Sequence, residues 1–583
     1  MTDLQRSILA ISTALVFLLA TLILRTTGNQ AEKVRVPETK LSFSPSNAYE
    51  ATKNLVTQYP ERGTGTEGSR GAAKWIEAEM KRAGLRTEQQ EFEAWIAGRR
   101  VGGRNVIGVD EGIREDAVAL IAHYDIPYHV REGAMDDASG VGVLLELARV
   151  FSHEEQKKTL IFIASDGEEW GMLGARHFAK EYPGLKRIRA VISLDYVRLE
   201  NPEKVCIRGE GQFRGYAPLW LWMLAEDCAT RAGGEPGSPD PLSHYLAQAV
   251  NISSTDQGPF LRAGIPGINI GGDHSDSPLA QKVYHTPFDT IENLNPGLFE
   301  VLGRTAELMI HSIDALDYSM DNNSYYLRTG KRTYVGHAGT ITLQAFLFLP
   351  LLLVTGFQYY NVRFRRKFMS DVLAEVTNMG LFFLPWVAAL VTLYYMVWTD
   401  FIPRYELYPA TTLDPFLKNP NTRAAAILAA ELIGGWIVVS VARRFLSLWG
   451  RPDFASAKAV CLDTLLTVSI IALALNGFAA SLFLAPAALL WVWMEGDAGL
   501  LRRALNVVLA LAAAAPLALM LVMFAAKLSL GPYIFWYLLT GAGYRFFSPQ
   551  AVLITAAALT IGVRLLQKSL TKTNLPTGSE LNQ

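Results

Sequence analysis

The feature that most limits what this chain can become is a succession of long apolar runs in its second half. They lie near Thr340–Phe357, Gly380–Trp398, Ala424–Val441, Ala459–Leu475, Phe478–Val492, Leu505–Phe524 and Ala551–Leu566. Each approaches the roughly 20 residues that an α-helix needs to cross a bilayer core. Charges are confined to the connections, so the runs do not read as buried helices of a water-soluble protein. A further run, Ile8–Leu24, sits between Arg6 and Arg25. No small-x-small cleavage pattern follows it, so residues 1–30 read as a retained transmembrane signal anchor. The expectation is about eight spans, the anchor plus an all-α polytopic membrane domain of about seven helices over residues 340–567.

Basic residues orient these spans. With the N-terminus in the cytoplasm, the connections with Arg363, Arg365, Arg366 and Lys367, with Arg443, Arg444 and Arg451, and with Arg502 and Arg503 all fall inside. So does a cytoplasmic tail, residues 568–583, with Lys568 and Lys572, which meets the positive-inside rule at every turn. The same parity places residues 42–320 outside, together with the loops Thr399–Arg423 and Lys527–Gln550. Trp536 and Tyr537 in the latter suit an interfacial or re-entrant piece. Glu431 and Asp463 stand near span ends, and no ion pathway is legible between them.

Residues 42–320 mix charged, glycine-rich and apolar segments as a folded extramembrane domain does, and the polar stretch 321–339 reads as a linker. The formal net charge is −1, without a basic block, which excludes a nucleic-acid footprint. Cys206, Cys228 and Cys461 form no Cys-x-x-Cys pair, and whether the first two are bridged stays open. Strands are expected at Val118–Ala122, Thr159–Ala164, Ala190–Leu194 and Gly267–Ile270, with another at Thr87–Phe92. Helices are expected at Ala72–Arg82, Val141–Phe151, Ala175–Glu181, Ala217–Arg231 and Leu298–Leu316. Such alternation argues for an α/β sandwich with a mostly parallel central sheet, whose sites collect at the carboxyl ends of strands.

Chemically loaded residues stand at those ends. His123-Tyr124-Asp125 follows the first strand; the imidazole can bind a metal while Asp125 orients a ligand from behind. Gly133-Ala134-Met135-Asp136-Asp137-Ala138-Ser139-Gly140 then opens a helix, where a carboxylate is either a ligand or a cap. Glu168-Glu169 follows the second strand and Asp195 ends the third. Adjacent glutamates point different ways, so one can bind metal while the other faces a water. Tyr284-His285-Thr286-Pro287-Phe288-Asp289-Thr290 supplies a second histidine. Two histidines with Asp136, Glu169 and Asp195 suffice for two zinc ions that share a carboxylate.

In this order the motifs resemble the co-catalytic di-zinc aminopeptidases, the zinc-exopeptidase family of bacterial leucyl aminopeptidases, aminopeptidase Y and, more distantly, glutamate carboxypeptidases and glutaminyl cyclases. The resemblance covers about half the chain and extends to Pro60–Gly68. It implies two Zn²⁺, with Asp136 bridging, His123 and Asp195 on one ion, Glu169 and His285 on the other, and Glu168 as general base. It also implies a catalytic part for Asp125 and a substrate-side part for Tyr284. Relatives often carry Ser-Asp-His-x-Pro-Phe where this chain has Thr255-Asp256-Gln257-Gly258-Pro259-Phe260, which puts Gln257 on the substrate side.

The expected function is therefore a membrane-bound zinc metallopeptidase of aminopeptidase type, acting on peptides and embedded in lipid. Its alternatives are a glutaminyl cyclase-like acyltransferase, a non-catalytic receptor or scaffold, and a transporter. The plan of anchor, peptidase domain and polytopic bundle is also similar to membrane-embedded endoplasmic reticulum and vacuolar metallopeptidases. Asn251-Ile-Ser and Asn322-Asn-Ser are glycosylation acceptor patterns, short enough to recur by chance. The compact length and Ala/Leu-rich spans point to a bacterial inner membrane with a periplasmic catalytic domain.

Overall fold

The computed structural model describes residues 3–26, 34–96, 98–273, 277–317, 320–330, 332–362, 368–402, 418–445, 452–496, 499–527 and 530–570. These divide into two compact units, one within residues 28–337 and one made of the N-terminal helix and the chain from residue 338 onward.

The first unit is built on β1 (Arg86–Ile96), β2 (Arg99–Asp110), β3 (Arg114–His123), β4 (Lys158–Ser165), β5 (Ile188–Leu194), β6 (Lys204–Arg208), β7 (Glu235–Gly237) and β8 (Gly267–Gly271). They form one sheet in the order β1-β2-β4-β3-β5-β8-β6-β7. Its middle, β4-β3-β5-β8, is parallel and comprises the four strands predicted from short apolar runs. A central parallel strand is covered on both faces and reads as continuous apolar sequence; β4 is buried from end to end. The flanks are antiparallel, β2 on β4 and β6 on β8. Glycines and arginines in β2, and the shortness of β6, hide them from a periodicity argument. Because β4 and β5 lie on opposite sides of β3, the chain order reverses at β3, where open α/β sheets form their crevices.

Residues 321–339, expected as a linker, contain a hairpin of β9 (Leu327–Gly330) and β10 (Thr333–Val335). Tyr326 and Tyr334 are buried in the core of this unit, and Arg328 pairs with buried Glu226 at 3.2 Å. The polar sequence conceals this because each tyrosine buries its ring while bonding its hydroxyl, Tyr326 to Ala217 O and Tyr334 to Glu226. At the other end of the domain, Glu307 accepts the backbone N–H groups of Ser42 and Phe43. Cys206 and Cys228 are both buried and free. Asn251 is buried and accepts from Gly211 N–H, whereas Asn322 is exposed.

In the second unit, among the described residues, six helices are long and apolar enough to cross a membrane: His337–Gln358, Ser370–Trp398, Thr422–Ala442, Phe454–Phe483, Leu500–Ala526 and Pro549–Leu570. Leu511, Leu519 and Val522 on the fifth are 67, 62 and 66% exposed and share one face, an apolar surface suited to lipid rather than water. The N-terminal helix, Asp3–Thr26, sets Leu9 against the same core as Leu351 and Val354.

Two expected spans, Ala459–Leu475 and Phe478–Val492, differ from the sequence reading. They are joined at Asn476, whose backbone leaves the helix (φ −157°, ψ 99°) and whose Oδ1 accepts Ala479 N–H to start the next segment. The chain then doubles back, since Lys458 Nζ donates to Val492 O at 2.6 Å and Met494 O at 2.7 Å. The return limb breaks at Leu484 and resumes as the short helix Ala485–Leu490, with Pro486 in its first turn. Trp536 and Tyr537, expected at an interface, are buried in the helix Ile534–Gly543. The basic connection 363–367, Arg451, Lys572 and most of the loop 399–423 lie outside the described residues.

Candidate metal centre and active site

His123 closes β3. Its Nδ1 stands 3.3 Å from Asp125 O and 3.5 Å from Asp125 Oδ1, which turns Nε2 toward Asp136 Oδ1 at 3.3 Å. The Asp125 carboxylate also accepts the backbone N–H groups of Glu168 at 3.0 Å and Glu169 at 3.3 Å. One buried carboxylate thereby sets both the imidazole from β3 and the glutamate turn that leaves β4. That turn begins at Gly167, where φ is +78° and a side chain would be strained.

Asp136 is placed by the loop before the helix Ser139–Phe151. The loop starts at Gly133, at φ +51°, where a Cβ would lie 2.2 Å from Ile126 Cγ2. Asp289 accepts the N–H groups of Met135 at 2.6 Å and Asp136 at 3.1 Å. Asp137 accepts those of His123 and Gly140. Arg62, fully buried, donates to Tyr124 O, Glu132 O and Gly133 O, so the Pro60–Gly68 segment clamps the loops on either side of His123 and Asp136.

The result sets Asp136 between two histidines, with Oδ1 3.3 Å from His123 Nε2 and Oδ2 3.2 Å from His285 Nε2. Glu169 Oε2 lies 2.9 Å from His285 Nε2. Donor atoms of His123, Asp136 and Asp195, and those of Asp136, Glu169 and His285, each gather within 4.8 Å of one another. Ligands on a tetrahedral ion with bonds of about 2.0–2.2 Å stand roughly 3.3–3.6 Å apart, close to the spacing here. Among the described residues, buried His285 Nε2 makes no hydrogen bond of proper geometry, although two carboxylate oxygens face it. A nitrogen lone pair aimed at a shared cation has this arrangement, and the residues fit zinc.

Electrostatics agree. Burial, reinforced by Glu169 and Asp256, holds Glu168 well above the usual carboxylate range. Burial also pushes Glu169 up to about 7 and Asp195 up to about 6. Asp136 goes the other way: burial opposes its charge, but His123 and His285 hold it well below the usual range. A bound divalent cation is the natural means of ionising all these carboxylates together.

A cavity open to solvent lies over the site, lined by His123, Asp136, Glu168, Asp195, Asp256 and Tyr284 among others. Tyr284 stacks on His285, ring centroids 3.8 Å apart. Gln257 is not brought to this cavity. It is fully buried, its Nε2 donating to Glu210 O and Ser253 Oγ and its Oε1 accepting from Thr255 Oγ1, so its amide is spent on folding the loop. Its neighbour Asp256 faces the cavity instead: Oδ2 accepts from Ser165 Oγ at 2.5 Å, Oδ1 is buried without a partner, and burial pushes the group up to about 6. Arg208 also lines the cavity; no motif singled it out.

Residues 105–310 match peptidase family M28. Aminopeptidase YwaD of Bacillus subtilis is 32% identical over 201 residues, which cover 33% of this chain and 40% of that protein. A probable zinc metalloprotease of Pyrenophora tritici-repentis is 52% identical over 66 residues, 11% of this chain and 15% of its own length. The chain thus spans less than half the length of these relatives. Among solved structures, BSAP, a zinc aminopeptidase from Bacillus subtilis, aligns with 50% of this chain and 100% of its own at 18% identity, with a TM-score of 0.40.

Proposed function

Taking residues 105–310 as the peptidase family M28 domain that they match, we propose that this chain is a membrane-bound, two-zinc peptidase that removes residues from the free N-termini of peptides. The observation that carries the proposal is Asp136, held between His123 and His285 with Glu168 beside them. His123 and Asp195 would hold one ion, Glu169 and His285 the other, and Asp136 both.

Bound zinc supplies Lewis acidity to a water and to the scissile carbonyl. Glu168, which lines the cavity beside His123, would take a proton from the attacking water and pass it to the leaving amine. Asp125 keeps His123 and the glutamate turn in register during this exchange. Tyr284, stacked on His285, lies where a substrate carbonyl would arrive.

We infer that the chain is membrane-embedded, with the N-terminus cytoplasmic and the catalytic domain outside, in the manner of a bacterial inner-membrane protein; the long apolar helices support the first part of this reading. Support comes from the bundle. Arg564 pairs with Glu375, Lys568 donates to Pro452 O, Lys458 reaches Val492 and Met494, and Arg502 reaches Trp493 O. These contacts collect the basic helix ends at one end of the bundle, as the positive-inside rule asks.

The test is a panel of free and N-terminally blocked peptides given to the purified full chain before and after chelation. Release of N-terminal residues from free peptides only, abolished by chelator and restored by zinc, is the expected result. Chelator-insensitive cleavage, or cyclisation of N-terminal glutamine in place of hydrolysis, overturns it.

A further inference from the structure

We propose that Arg208 receives a carboxylate of the substrate, making the enzyme selective for peptides that carry an anion close to the scissile bond. This rests on the peptidase reading above and names its substrate class.

Arg208 ends β6 and reaches the cavity that holds Glu168 and Asp195. It is the one permanent cation in a lining otherwise made of carboxylates, hydroxyls, one histidine and one leucine, among the described residues. Its side chain is 20% exposed. Its contacts are Nη1 to Asp195 Oδ2 at 3.4 Å and Nη2 to Asp273 Oδ2 at 3.5 Å. An arginine whose purpose is to clamp a carboxylate closes to about 2.7–2.9 Å, usually through two parallel bonds. Here both contacts are long and each acid is touched by a single nitrogen. A guanidinium offers five N–H donors in a planar fork that matches one carboxylate in two-point fashion. Two distant partners leave much of that fork for a ligand. Asp195 is also a metal-ligand candidate, and a carboxylate that shares its charge with an ion is a weaker partner for Arg208.

The carboxylate has two possible sources: the side chain of an N-terminal Asp or Glu, or the C-terminus of a dipeptide. Matched pairs distinguish them. Glu-Leu-amide against Gln-Leu-amide tests the side chain; Leu-Leu against Leu-Leu-amide tests the terminus. For each pair the ratio of kcat/KM is measured on the full chain in detergent and on R208Q and R208K, with zinc content determined on every sample. Binding of the same four peptides to E168Q and to E168Q/R208Q is followed by calorimetry, which requires no turnover.

The expected result is that the carboxylate member of one pair is preferred by about tenfold or more, carried mainly by KM and by Kd in E168Q. R208Q erases the preference at unchanged zinc content, and R208K keeps part of it. Equal treatment of both members of both pairs, in hydrolysis and in binding, overturns the inference and leaves the peptidase reading intact. A uniform loss with lowered zinc content in R208Q also overturns it, because Arg208 would then only hold Asp195. If no peptide is hydrolysed the peptidase reading fails, and the binding ratios still decide whether Arg208 takes a carboxylate.

Discussion

Glu168 and Glu169 leave the same strand and meet different surroundings. Glu169 Oε2 lies 2.9 Å from His285 Nε2, within a set of metal-ligand atoms that includes Asp136. Glu168 lines the cavity 3.8 Å from His123 Nε2, and its donor atom gathers with those of His123 and Glu169, though not with Asp136. E169A is expected to lose metal and activity together, since a carboxylate that binds one ion is gone. E168Q is expected to keep near-normal metal content while kcat falls by about a hundredfold or more, the usual scale for loss of a general base. Metal analysis and kinetics on the two variants side by side check the assignment, and the opposite pattern reverses the roles. His123, Glu169 and Asp195 were legible because they stand at or just after the ends of apolar strands, and Asp136 and His285 because their motifs stand in the order of the family the sequence resembles. Asp289, Asp256 and Arg208 were not. Asp289 acts through backbone N–H groups more than 150 positions away in sequence, and Arg208 reaches the cavity from a strand too short to be read.

At the scale of elements, the four parallel strands followed from their apolar runs, whereas the hairpin after residue 320 did not, because a tyrosine-rich polar stretch looks like a loop. That hairpin's support includes His244, on the helix Pro241–Val250. The imidazole is fully buried; Nδ1 lies 3.1 Å from Tyr216 Oη and Nε2 is 3.4 Å from Tyr326 O. Burial pushes its pKa down to about 3. Below an unfolded value of about 6.5 the unfolded chain therefore binds a proton that the folded chain refuses. Stability from this group is complete above pH 6.5 and is lost as the pH falls toward 3, by about 2 kcal/mol between pH 7 and pH 5. His244→Gln should flatten that part of the pH dependence, read as the change in Tm between those two pH values. An equally steep fall in the variant would show that His244 takes up a proton in the fold as readily as in the unfolded chain.

For the whole molecule, the reversal at Asn476 sets which helix ends lie together in the second unit. A single crossing from Phe454 to Phe483 would send Arg502 and Arg503 to the side opposite Lys458, whereas the return limb brings Met494 back to Lys458 and Arg502 to Trp493 O. The Asn476-Gly477 pair between the two apolar runs is a turn signal, but how the two limbs are joined there was not otherwise legible. Reporter fusions after Arg365 and after Arg443 should behave as cytoplasmic, and a fusion within Thr399–Arg423 as external. The inverse pattern would place the catalytic domain in the cytoplasm. The zinc content of the purified full chain, measured by plasma mass spectrometry against quantitative amino-acid analysis, tests the central claim most directly. A pair of ions bridged by Asp136 predicts about two zinc per chain, while a value of one, or none that survives exchange into metal-free buffer, would contradict it.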